Sequence, residues 1–260
     1  MVFMVTSAER RRRFLLSCGI LASILYVAMT LFVGLLWEGY SVVSGVPSEL
    51  SAIGAPTRLL WIWLGAIYAV LMVAFGWMVW KSAPPNRAMR VVGALLMAHT
   101  VFAQFWPPMH QRAVLAAGGG TLTDTLHLVW AAITVVLFLL IVGFGAAALG
   151  RRFRIYSIAT IVIVFACGAV TGTYASRVEA DLPTPGVGVW ERISIATFMT
   201  WIVVLAIALL RAPRELKGDR HGSDPSRDSL GGGAVLVSGS TVDEPLGHHA
   251  YRSDAHHVGR

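Results

Sequence analysis

Long apolar runs broken by short polar connectors set the plan of this chain. Six stretches are almost wholly apolar: 14–36, 59–80, 91–106, 125–149, 155–176 and 191–210. A helix of about 20 residues crosses a hydrocarbon core of roughly 30 Å, and it satisfies its own backbone groups where no water is available. The pattern therefore predicts an all-α polytopic membrane protein, one bundle of six transmembrane helices spanning 14–210. The first run follows four arginines at 10–13 and resembles a secretory signal at first sight. It is too long for a signal's apolar region, and no small-residue cleavage site follows, so it is expected to stay as the first span. The third run is short, so its helix is expected to begin before residue 91 or to continue past Pro107 and Pro108. Trp37, Tyr40, Trp61, Trp63, Trp77 and Trp80 sit near run ends, where aromatic rings favour the membrane–water boundary.

Composition supports the same plan. The 260 residues are 56% hydrophobic and 13% charged, where soluble domains have about 45–50% and about 25%. The net charge of +7 does not imply a nucleic-acid partner. From residue 211 onward there are seven basic and seven acidic residues, so the whole excess belongs to the membrane body. There, the connectors at 1–13, 81–90 and 150–154 carry ten Lys or Arg against one acid, Glu9. The remaining connectors carry four arginines (Arg58, Arg112, Arg177, Arg192) against six acids. Excess Lys and Arg mark the cytoplasmic side. Both termini are thus expected in the cytoplasm, with the chain multi-pass in the inner (plasma) membrane and lipids as its immediate partners.

Residues 1–13 form a basic N-terminus, and 211–260 form a polar tail that is too poor in apolar residues to fold and is expected to be disordered. The tail holds five of the eight histidines, a tract that binds metal weakly and says little about the body. Cys18 and Cys167 lie within apolar runs, with no CxxC, and read as small buried hydrophobes. Gly168 and Gly172 have the spacing that lets helices approach closely, expected here between helices of one monomer. Nothing in the sequence sets the oligomeric state.

Candidate chemistry concentrates on the side opposite the basic connectors. Pro47-Ser48-Glu49 starts a turn that Gly54 and Pro56 end, so Glu49 can favour a helix N-terminus or serve a ligand. Thr121-Leu122-Thr123-Asp124 has capping-box spacing, with Asp in the place of Glu. Asp124 and His127 are three apart and are expected on one helix face, where the carboxylate would orient the imidazole. Two chemistries suit the set. In one, His110, His127 and Asp124 or Glu49 ligate zinc and leave an open position for water. In the other, His127 with Asp124 is a general base while Arg192 clamps an anionic group. No HExxH, G-x-S-x-G or P-loop supports either. His99, deep in the third run, and Gln104 beyond it suit a proton or solute path, or a helix–helix hydrogen bond.

These residues carry a resemblance. Ser48-Glu49-Leu50-Ser51-Ala52-Ile53-Gly54-Ala55-Pro56, the aromatic-Pro exit followed by Asp124-Thr125-Leu126-His127, and Gly188-Val189-Trp190-Glu191-Arg192 resemble three loop segments of a bacterial and archaeal six-span family catalogued as domain of unknown function 998. The likeness covers about 14–210 and implies Ser48, Glu49, His127, Glu191 and Arg192 as site residues, with no established activity. The family pattern has an Asp where this chain has His110, which weighs against a metal role for that histidine. A more distant analogy is the membrane-embedded hydrolase superfamily that includes alkaline ceramidases, although its seven spans and late HxxxH pair are missing here. The leading reading is an integral membrane protein whose outward polar site binds or handles a lipid or small amphiphile. The alternatives are a hydrolase of lipid amides or esters, zinc-dependent or not, and a small-solute or proton-coupled transporter.

Overall fold

The computed structural model describes residues 6–82 and 86–212. The tail beyond 212, with its histidines, lies outside the described residues. Those described form eight α-helices and no strand: α1 (Ser7–Phe32), α2 (Arg58–Lys81), α3 (Arg87–Ala103), α4 (Arg112–Ala116), α5 (Leu122–Ala148), α6 (Arg151–Gly172), α7 (Ala175–Glu179) and α8 (Val187–Arg211). Two 3-10 turns, Val33–Leu36 and Pro47–Ser51, lie between α1 and α2.

Three of the long helices begin where the sequence supplies a side-chain cap. Thr6 accepts the Glu9 amide at α1, Asn86 accepts the Met89 amide at α3, and Thr121 with Asp124 forms a capping box at α5. These side chains satisfy amides that have no intrahelical acceptor. Five helical segments are long and apolar enough to cross a membrane: Ser7–Leu36, Arg58–Lys81, Leu122–Ala148, Arg151–Gly172 and Val187–Arg211. The sequence predicts a sixth in the third apolar run. α3 does form there, but it has only 17 residues, about 26 Å of helix. The chain leaves the helix at Gln104, ahead of Pro107 and Pro108, whose rings cannot continue it.

The six long helices close into a ring in the order α1, α2, α3, α5, α6, α8, with α8 packed back on α1. The ring core is built from Leu16, Met72, Phe75, Leu96, Phe198 and Trp201, all essentially inaccessible. Trp201 gives its indole N–H to Ser157 Oγ at 2.9 Å, so its one polar atom is satisfied. Helices α2 and α3 approach closely, backbone to backbone. A Cβ on Gly93 would lie 2.5 Å from the Trp80 amide nitrogen and 2.8 Å from the Gly76 carbonyl oxygen. The expected contact at Gly168 and Gly172 does not form: the first faces only Val135, at 4.0 Å, and the second faces open space.

The loops 33–57, 104–121 and 173–186 meet at one end of the ring, called here the capped end. Ile53 N–H donates to the Met109 carbonyl, and Gly188 N–H donates to that of Val43. The opposite end is tied more simply, by the Asn86 amide on the Ala148 carbonyl at 2.7 Å and Arg12 on that of Leu209 at 2.5 Å.

Candidate functional site

The capped end is organised by two arginines on either side of the first loop. Arg112, at the start of α4, reaches three groups: Nε donates to the Glu49 carboxylate at 2.5 Å, one terminal nitrogen to Thr184 Oγ1 at 2.8 Å, and the other to the Ser44 carbonyl at 3.0 Å. Thr184 in turn donates to the Ser44 carbonyl at 2.7 Å. All three loops therefore meet at Arg112. Glu49 is buried in the turn Pro47–Ser51, and that burial raises its carboxyl above the usual range although Arg112 and Arg192 pull it down. Arg112 is not among the site residues expected from the sequence. Its one signal was being the only base in a connector that must face Glu49.

Arg192, buried on α8, donates to the carbonyls of Thr30, Val42, Gly45 and Gly188 and to the Tyr40 hydroxyl, at 2.7–3.0 Å. A planar guanidinium suits this fan of acceptors, which a point-charge ammonium would not match. Gly188 makes room for it, because a Cβ there would strike the Val42 and Gly45 carbonyls. Tyr40 shares its own hydroxyl proton with the Gly45 and Val46 carbonyls, at 3.0 Å each. Burial pushes that phenol up to about 12 against the pull of Arg192, so it remains a donor. These contacts make Arg192 a staple for the backbone of the first loop. The anion-clamp role expected from the sequence would have to use a guanidinium already engaged by five acceptors.

The second constellation lies where the central loop enters α5. Asp124 accepts from the His110 amide (2.7 Å), His110 Nδ1 (2.9 Å) and the Thr121 amide (2.8 Å). The expected Asp124–His127 pair does not form. The capping box folds the carboxylate back over the helix start and toward the loop, and there it meets His110. His127 is buried and gives its Nδ1 proton to the Pro107 carbonyl at 2.9 Å, with the Trp106 ring edge-on at 4.5 Å. A carbonyl can only accept, so the neutral ring has its lone pair on Nε2. Ser48 turns its hydroxyl to Met109 Sδ at 3.6 Å.

No trio of His, Cys, Asp or Glu among the described residues is spaced to hold a metal ion. The zinc set expected from His110, His127 and Asp124 thus does not assemble: one pair forms and the third member turns to a backbone carbonyl. His99 is buried against the Phe138 ring at 5.0 Å, and Gln104 donates back to the Thr100 carbonyl of its own helix. Glu191 is partly buried on α8 and receives no hydrogen bond or ion pair from a described residue.

Two depressions flank residues 42–44. One is an apolar cleft of about 300 Å³ between α1 and α8, lined by Val27, Thr30, Leu31, Val42, Ile193 and Ala196, with Arg192 at its edge. The other, about 380 Å³, is a more polar hollow among Ser44, Arg112, Asp181 and Thr184. No curated protein and no solved structure matches this chain. A family model does match, over residues 20–208, which takes in at least half of each long helix and every contact just described, and the chain belongs to that family, the proteins of unknown function termed DUF998.

Proposed function

We propose that this protein binds a lipid or small amphiphile at the capped end, with the apolar chain in the cleft between α1 and α8 and the polar head toward the hollow around Arg112. The observation that carries the reading is the cleft itself. It is lined almost entirely by apolar side chains and lies between two helices of spanning length, with Val42 of the first loop and Arg192 beside it. A site of about 300–1,000 Å³ with an apolar body and a few fixed polar groups is the usual form of a small-molecule pocket. In this reading α3 is the sixth span, the capped end faces outward, both termini are cytoplasmic and membrane lipids are the source of ligand. The charge asymmetry of the connectors supports that orientation.

The test is mass spectrometry of lipid retained by protein purified in mild detergent. Ala196→Phe, which fills the cleft, should strip most of the retained lipid. Val162→Phe, on an exposed face of α6, should leave it in place. Equal retention in all three proteins would overturn the reading. The His110–Asp124 pair favours hydrolysis as a second reading, because an imidazole oriented by a carboxylate is a general base. The same spectra separate the two, since a hydrolase yields cleaved products and a binding protein yields intact lipid.

A further inference from the structure

Toward the capped end the interior of the ring becomes more polar, and several of its polar groups lack a hydrogen-bond partner among the described residues. On α8 the buried stripe Phe198, Ile202, Leu205, Leu209 extends back through Ile195 to Glu191 at the same spacing. Glu191 therefore continues the inward face, one residue before Arg192, whose guanidinium turns away to the first loop. On α5 the corresponding stripe is Trp130, Thr134, Phe138, Ile141. Trp130 Nε1 and Thr134 Oγ1 are fully buried and find no partner among the described residues. On α3, His99 packs on Phe138 without a hydrogen bond.

These groups share one region. Phe138 and Phe198 stack at 3.8 Å and form a floor across the ring, with Trp201 beyond. At about 1.5 Å per residue, Thr134 and Trp130 lie about 6 and 12 Å above that floor and Glu191 about 10 Å above it. From the α1–α2 side, Tyr26 stacks obliquely on Tyr68 at 4.7 Å and meets Trp61 edge-on at 6.4 Å. Glu191 lies close enough to Tyr26 to interact with it electrostatically, as Arg192 and Glu49 do with Glu191. Neither phenol hydroxyl bonds a described residue. Buried polar groups are costly when unpaired, and more so at membrane depth, where ionisable residues mark sites of function.

We propose that the interior of the ring above the Phe138–Phe198 floor is a binding site for a small organic ammonium ion, held by the Glu191 carboxylate and the faces of Tyr26 and Tyr68. Glu191 is the one formal charge on the inward stripes there, and ring faces attract cations. The Trp130 indole N–H and Thr134 hydroxyl supply hydrogen bonds to a polar substituent on the ligand. None of Glu191, Tyr26, Tyr68, Trp130 and Thr134 lines the α1–α8 cleft, which shares Ile195 with the inward stripe.

The test is equilibrium binding of choline to the purified full-length protein, with 3,3-dimethylbutanol as its neutral isostere. Saturable choline binding is expected, at least about tenfold tighter than the neutral isostere. Glu191→Gln should weaken choline at least about tenfold, and Tyr68→Leu should weaken it while Tyr68→Phe, which keeps the ring, does not. Thermal melting of each variant shows that it is folded, and Thr134→Val gives a second, nearly isosteric probe expected to weaken binding severalfold. Absence of saturable choline binding would overturn the proposal. So would equal affinity for the neutral isostere, or unchanged affinity in Glu191→Gln. Ala196→Phe should keep choline binding whatever it does to retained lipid, so the two proposals fail independently.

Discussion

Arg192 and Arg112 show how one residue type performs opposite tasks on the same loop. Arg112 pairs with a carboxylate and joins side chains of different loops, whereas Arg192 meets only backbone carbonyls and a phenol. For Arg192 the geometry of the fork matters as much as the charge. Lysine would keep the charge but reach only part of the fan, leaving buried carbonyls of Val42, Gly45 or Thr30 unpaired, at about 1–3 kcal/mol each. Arg192→Lys should therefore lower stability by about 2–4 kcal/mol, read as a clear fall in Tm of the detergent-purified protein. A Tm within error of the parent would show that the fan contributes little. Arg192 stood out in the sequence as a charge beside an apolar run. Its acceptors, more than 140 positions away for all but Gly188, had no local signature.

At the scale of elements, what was legible depended on whether the determining contact is local. The start of α5 was readable because a capping box is written in four consecutive residues. The partner of Asp124 was not, because Gly118, Gly119 and Gly120 let the loop return His110 by a route that spacing does not specify. The paired glycines of α6 misled for a related reason. Their spacing permits close approach, but the neighbouring surface decides whether it happens, and Gly76 and Gly93 supply the contact instead. The capping box and the loop anchor share one carboxylate, so Asp124→Ala should remove both. The cost expected from the cap alone is about 1–2 kcal/mol. Hydrogen exchange at the His110 and Thr121 amides should accelerate markedly in that variant while amides in the middle of α5 keep their protection. Unchanged exchange at His110 would show that the loop is held by other contacts, such as Ile53 on Met109.

For the whole molecule, the bundle of apolar helices was evident from hydropathy and composition, while the number of crossings depends on α3. Its 17 residues fall short of the other five helices, yet it occupies a full place in the ring between α2 and α5. The charges of the two ends also differ in use. At the capped end Arg58, Arg112, Arg177 and Arg192 are all drawn into hydrogen bonds with loop groups. At the opposite end Arg10, Arg11, Arg151 and Arg152 stand exposed, as cations suited to a leaflet rich in anionic lipid would be. Six crossings put both termini on one side of the membrane, while a non-crossing α3 would put 33–57 and 104–121 on opposite faces. Single cysteines in a background lacking Cys18 and Cys167 decide between these. Ser41→Cys and Ala117→Cys should react with an impermeant maleimide in intact cells, and Ser7→Cys and Gly150→Cys only after permeabilisation. If Ser41→Cys and Ala117→Cys label from opposite faces, α3 does not cross. If all four positions show the reverse pattern, the capped end faces the cytoplasm, and the amphiphile would have to reach its cleft from the inner leaflet.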